Sequence, residues 1–247
     1  MSTAIYLTCA IAIVLIVFFL IAGTTYTLRR AYMAMKADMM QQKKMLRLIS
    51  LGFALWLLIT MVLSLGGYYE NFRYLPPRIF LFGILPPLVI TFVLIFSKSF
   101  LSILRYIPSA WLIKVQSFRI AMELMLWLAY IGLVLPFQMT FVGFNMDIIA
   151  GITALFAGSV FFRKRRFFRP EAVIWNVFGI LLLINVVFIA VISTPTDYRV
   201  FLNEPSTAII ATFPYIWIPT FIVPYALAMH IFSIRQVFMK DLRPFEG

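Results

Sequence analysis

The chain has 247 residues, 63% hydrophobic and 12% charged, whereas soluble domains carry about 25% charged residues, so the composition excludes an ordinary soluble globular protein. The formal net charge is +12 and the pI near 10.1, but the basic residues lie in short segments between apolar runs rather than in a patch. No nucleic-acid partner is therefore expected, and the charge fits topology control and attraction to anionic lipid headgroups.

An apolar run over residues 4–27 opens the chain, and the first basic residue, Arg29, follows it. With no basic stretch ahead of it, this run is expected to stay as an anchor rather than to be removed as a signal peptide. Further runs follow at 48–68, 79–98, 115–136, 147–162, 172–193 and 214–236. A hydrocarbon core roughly 30 Å thick needs about 20 apolar residues per helix. The expected fold class is all-α: a single polytopic membrane domain over residues 1–247, a bundle of seven transmembrane helices. The fifth run has only 16 residues, so it is expected to extend at one end or to tilt little. Met33, Met35, Met39, Met40 and Met45, interspersed with lysines, read as an amphipathic cytoplasmic extension of the first helix and lack the spacing of a copper site. The segment from Ser99 to Lys114, broken at Pro108, is expected at the cytoplasmic interface.

Seventeen of the 21 Lys and Arg residues fall on one set of loops and the tail; Arg73, Arg78 and Arg199 fall on the other, and Arg119 lies inside the fourth run. The positive-inside bias then puts the N-terminus outside and the C-terminus in the cytoplasm. Besides membrane lipids, the expected partners are anionic lipid or a cytoplasmic protein at Arg163–Arg169. The outer segments, Phe137–Met146 and Thr194–Phe213, are rich in Pro, Asn and aromatics, and the second is long enough to fold over the mouth of the bundle.

Ionisable residues inside a bilayer cost about 2.5–3.5 kcal/mol and usually face the bundle interior or a partner. Gln116, Arg119 and Glu123 fall within about 60° of one helix face, and Arg119 and Glu123, spaced i, i+4, are expected to pair. At 1.5 Å per residue, Arg119, Glu123, Asn176 and His230 all fall in the cytoplasmic half of their helices. The candidate ligand-binding set is thus Gln116, Arg119, Glu123, Asn176 and His230. Asn176 and Asn185 lie on opposite faces of the sixth helix, which calls for protein on both sides of it. Asn145, Asp147, Asn203 and Glu204 are the outer-loop candidates, with Asn145 or Asp147 equally suited to capping the fifth helix. Pro86, Pro87, Pro214, Pro219 and Pro224 free backbone carbonyls for kinks or a cavity. One cysteine, Cys9, and one histidine exclude an intrachain disulfide, a bis-histidine haem and a multi-histidine zinc or di-iron site. No metal and no cofactor is expected.

The last run, Pro214 to Gln236, has no lysine for a retinal Schiff base, and one histidine is too few for a zinc hydrolase of the adiponectin-receptor type. Ile95-Phe96-Ser97-Lys98 and Ile222-Val223-Pro224-Tyr225 stand where G-protein receptors carry their helix-three and helix-seven motifs. Four segments do resemble an uncharacterised group of bacterial seven-helix membrane proteins: Gln116-Ser117-Phe118-Arg119 with Glu123, Gln138-Met139-Thr140-Phe141 to Asp147, Trp175-Asn176, and Ser193-Thr194-Pro195-Thr196 to Asn203-Glu204-Pro205. The resemblance covers roughly the second half of the chain and implies a bacterial cytoplasmic membrane; no activity comes with it. The expected function is binding of a small polar or amphipathic ligand within the bundle, receptor-like or transporter-like. The alternatives are a membrane-embedded enzyme acting on a lipid or isoprenoid, the weaker reading, and a structural subunit of a membrane complex.

Overall fold

The computed structural model describes residues 3–74, 76–162 and 170–239, and no β-strand occurs among them. Two long helices come first, α1 (Thr3–Ala34) and α2 (Met39–Leu65). Between them Lys36 takes a left-handed φ of 54°, and the Asp38 carboxylate accepts the N–H groups of Met40 and Gln41 to start α2, an Asx cap of the usual kind. The methionine-rich stretch is therefore split between the end of one helix and the start of the next, which corrects the expectation of a single extension of the first helix. Phe18 and Phe19 on α1 are 71% and 64% exposed, and Leu51 and Leu55 on α2 are 58% and 59% exposed. Apolar surface on this scale belongs against lipid.

A π-helical turn, Phe80–Ile84, leads into α3 (Leu85–Phe96), which bends by 80° at Ser97 into α4 (Lys98–Leu104). After Pro108 come α5 (Ser109–Lys114), one 3-10 turn at Val115–Ser117 and α6 (Phe118–Ile131), stacked almost without interruption. The remaining helices are α7 (Ile148–Phe161), α8 (Pro170–Ser193) and α9 (Val223–Val237), the last preceded by a second π turn at Ile218–Ile222. Thr3–Ala34, Met39–Leu65, Pro170–Ser193 and Ile218–Val237 are long and apolar enough to cross a membrane, and the bent pair α3–α4 is a fifth candidate. The chain is an all-helical membrane protein.

Both π turns sit at prolines. Pro224 removes the N–H that would bond the Thr220 carbonyl, and Trp56 Nε1 of α2 donates to that carbonyl at 2.9 Å instead. Pro86 likewise frees the Phe82 carbonyl, which faces the Tyr69 hydroxyl at 3.5 Å. The two breaks touch: a Cβ on Gly83 would stand 2.6 Å from the Thr220 methyl.

The path between α6 and α7 determines the site. Leu133, with φ 55°, turns the chain out of α6, and residues 137–147 then fold back into the bundle along α8. Gln138 donates to Ser193 Oγ at 3.0 Å, Asn185 donates to the Phe144 carbonyl at 2.8 Å, and Arg119 joins Asp147 to the Gly179 carbonyl. From Ser193 to Gly179 is 14 residues of α8, roughly 21 Å. Helix α7 consequently begins deep in the bundle and runs antiparallel to the α5–α6 stack. A Cβ at Gly151 would stand 2.8 Å from Ile120 N and one at Gly158 2.9 Å from the Ala110 carbonyl, so these glycines allow the backbones to approach.

Candidate functional site

Helix α6 supplies Arg119 and Glu123 and the 3-10 turn ahead of it supplies Gln116, all 2% exposed or less. Arg119 Nε donates to Asp147 Oδ2 at 2.7 Å, its two terminal nitrogens reach the Gly179 carbonyl at 3.4 Å, and Nη1 stands 3.1 Å from His230 Nε2. Because a guanidinium only donates, Nε2 must accept, which puts the imidazole proton on Nδ1. That proton points to Asn176 Oδ1 at 2.9 Å. The Asn176 amide in turn donates to Ser233 Oγ at 2.9 Å and to the Ala172 carbonyl at 2.7 Å. A directional chain of bonds thus crosses from the head of α7 through α6 to α9 and α8. Gly179 makes room for it, since a Cβ there would overlap the His230 ring.

Glu123 takes a different partner from the one its spacing suggests. Its Oε1 accepts from Asn145 Nδ2 at 2.6 Å, while Asn145 Oδ1 receives the N–H of Asp147 at 3.0 Å. The expected pairing of Arg119 with Glu123 is therefore replaced by Arg119 with Asp147, because the loop carries a carboxylate down to the guanidinium. The expected cap of the fifth helix is corrected too: Asp147 occupies the position before Ile148 but its side chain caps nothing, being committed to Arg119.

Three oxygens of this region have no hydrogen-bond partner: Glu123 Oε2, Asp147 Oδ1 and Gln116 Oε1. Gln116 spends its amide nitrogen on the Ala226 carbonyl at 2.9 Å, tying the 3-10 turn before α6 to α9. Glu123, Asp147 and Arg119 line a cavity of about 40 Å³ whose other walls are apolar, drawn from α6, α8, the second π turn and the start of α9. That exceeds the roughly 10–15 Å³ that a cavity needs to hold a water. Two carboxylates face one guanidinium here, and every open position is an acceptor.

Of the residues expected to bind ligand, the structure gathers Arg119, Glu123, Asn176 and His230 in this network, with Gln116 one turn away. Asn145 and Asp147, read from the sequence as outer-loop residues, join them. Asn203 and Glu204 do not. Asn203 exchanges two amide bonds with Gln138 at 2.9 and 3.3 Å, and Glu204 accepts from Arg199 at 2.8 Å and from the Ser206 N–H at 2.7 Å. The Arg199 bond holds the Glu204 carboxyl below its ordinary range. Gly179 and Ser233 were not singled out, although each lies three residues from Asn176 or His230 on the same helix face. The Arg163–Arg169 cluster lies outside the described residues.

A family model, Domain of unknown function (DUF8737), matches residues 76–238. The chain belongs to the DUF8737 family. The DUF8737 region contains the whole polar network, from Gln116 to Ser233, and leaves α1 and α2 outside it. No curated protein and no solved structure matches the chain.

Proposed function

We propose that this DUF8737 protein crosses the bacterial cytoplasmic membrane seven times, N-terminus outside, and binds a small polar solute in the cavity beside Arg119, Glu123 and Asp147 in a transporter-like manner. The observation that carries the reading is the cavity itself, where two buried carboxylates keep unbonded oxygens and, Arg119 apart, the rest of the lining is apolar. A purely structural ion pair has no need of spare acceptors, and leaving them buried costs about 1–3 kcal/mol each. Two interruptions border the place, the second π turn and the deep start of α7, and the first π turn packs against the second at Gly83 and Thr220. Broken helices of this kind border the substrate sites of many transporters, which favours transport over a receptor role. The α5–α6 stack and α7 make up the two crossings beyond the five long candidates, and the bias of Lys and Arg supports the orientation.

The test is a thermal-shift screen of small amines, the smallest amino acids and short carboxylic acids against purified protein in detergent, repeated on Glu123→Gln and Arg119→Lys. A ligand at 100 times its Kd stabilises by about 2.7 kcal/mol. The expected result is at least one solute whose shift is lost in both variants and which accumulates in proteoliposomes. Shifts that persist in both variants would place binding elsewhere.

A further inference from the structure

We propose that the cavity holds one exchangeable proton on Glu123 Oε2, with Asp147 as its neighbouring carboxylate, so that the solute site is also a proton site. This rests on the reading above and names the coupling species.

The first argument is charge. Asp147 has Arg119 as its partner at 2.7 Å, whereas Glu123 has only the neutral Asn145 amide. One guanidinium and two carboxylates leave a single uncompensated negative charge in a region 1–6% exposed, and an unpaired buried charge is far more costly than the neutral acid. Among the described residues no other packed element supplies the missing positive charge. On α9, His230 uses both ring nitrogens on Arg119 and Asn176, and the Tyr225 hydroxyl faces Thr24. On α8 the groups facing the site are Asn176 and the Gly179 carbonyl, and on α1 the nearby thiol of Cys9 donates to the Met125 carbonyl.

The second argument is the type of open group. Asn145 occupies Oε1, so a proton goes to Oε2, the oxygen without a partner. A hydronium ion delivers it and leaves as water; the new O–H then donates to a cavity water or to Asp147 Oδ1, the other unbonded carboxylate oxygen. One proton therefore removes the net charge and turns a site of acceptors alone into one with a donor. A metal cation suits the place less well. Among the described residues no three His, Cys, Asp or Glu side chains gather to hold one, and Na⁺ or Ca²⁺ would exchange several hydration oxygens for a largely apolar wall.

The experiment is infrared difference spectroscopy across a pH titration on the full chain in nanodiscs, reading the carbonyl stretch of a protonated carboxyl group in H₂O and D₂O. One buried carboxylic-acid band is expected to vanish as pH rises. Glu123→Gln should remove it, Glu204→Gln should leave it, and exchanging Na⁺ for choline at fixed pH should not move it. Glu123→Asp guards against a folding defect, since it should restore a titrating band at a shifted frequency. A spectrum with no titrating band that Glu123→Gln removes would overturn the proposal, as would a band whose intensity follows Na⁺ at fixed pH. The two proposals fail separately. A titrating Glu123 band with no solute shift removes solute binding and keeps the proton, whereas a solute shift with no such band does the reverse.

Discussion

Removing Arg119 should cost far more than neutralising Asp147, although the two share one 2.7 Å bond. In Arg119→Met the Asp147 carboxylate stays buried without a counter-charge, and the acceptor His230 Nε2 loses its donor. Breaking a buried pair this way costs about 3–5 kcal/mol. In Asp147→Asn an oxygen still faces Arg119, and Glu123, one turn further along α6, remains as a second carboxylate for the guanidinium. The expected loss is the difference between a charged and a neutral hydrogen bond, about 1–1.5 kcal/mol. The double variant leaves neither charge exposed to the other's absence, so it should fall short of the sum by about 2 kcal/mol. Reversible unfolding by SDS in mixed micelles, followed by the fluorescence of the five tryptophans, measures all three. Asp147→Asn costing as much as Arg119→Met would show that Glu123 provides no reserve counter-charge, and strict additivity would show that the pair is not coupled.

Gly179→Ala should destabilise by about 1–3 kcal/mol or more through overpacking against the His230 ring, while Gly23→Ala on α1, with nothing within 4 Å of the added Cβ, should stabilise by about 0.5–1 kcal/mol from helix propensity; the same unfolding titration reads both, and equal signs would refute the packing argument. Glu204, whose folded pKa is depressed by Arg199, contributes stability that is fully present above the ordinary carboxylate range and is lost as pH falls through its lower folded value. Amide exchange in residues 194–213 should therefore rise at the acid end of a titration in the wild type and be raised throughout, without that pH step, in Glu204→Gln.

The long elements were legible because their signal is simple. Hydropathy located α1, α2, α8 and the last helix, and the cost of charge in a bilayer singled out Arg119, Glu123 and His230. What escaped was the path of residues 137–147. A segment containing Gln138, Asn145 and Asp147 reads as an outer loop, since its polar side chains carry no period and nothing local says that their partners lie on α6 and α8. The length of the fifth run was the available hint: 16 apolar residues fit a helix that starts below the surface as well as one that lies upright. The i, i+4 rule misled at Arg119 for a related reason. It ranks neighbours on one helix and cannot weigh an Asp 28 residues away that the fold delivers at shorter range.

The deep start of α7 also bears on how the chain is built. A 14-residue helix spans about 21 Å, less than the hydrocarbon thickness, and it is headed by Asn145 and Asp147, which lipid alone would reject. Such a segment has no resting place of its own in a bilayer. It can settle only once Arg119 is in place on one side and α8 on the other. The packing of α7 against Arg119 and α8 is therefore what completes the cavity.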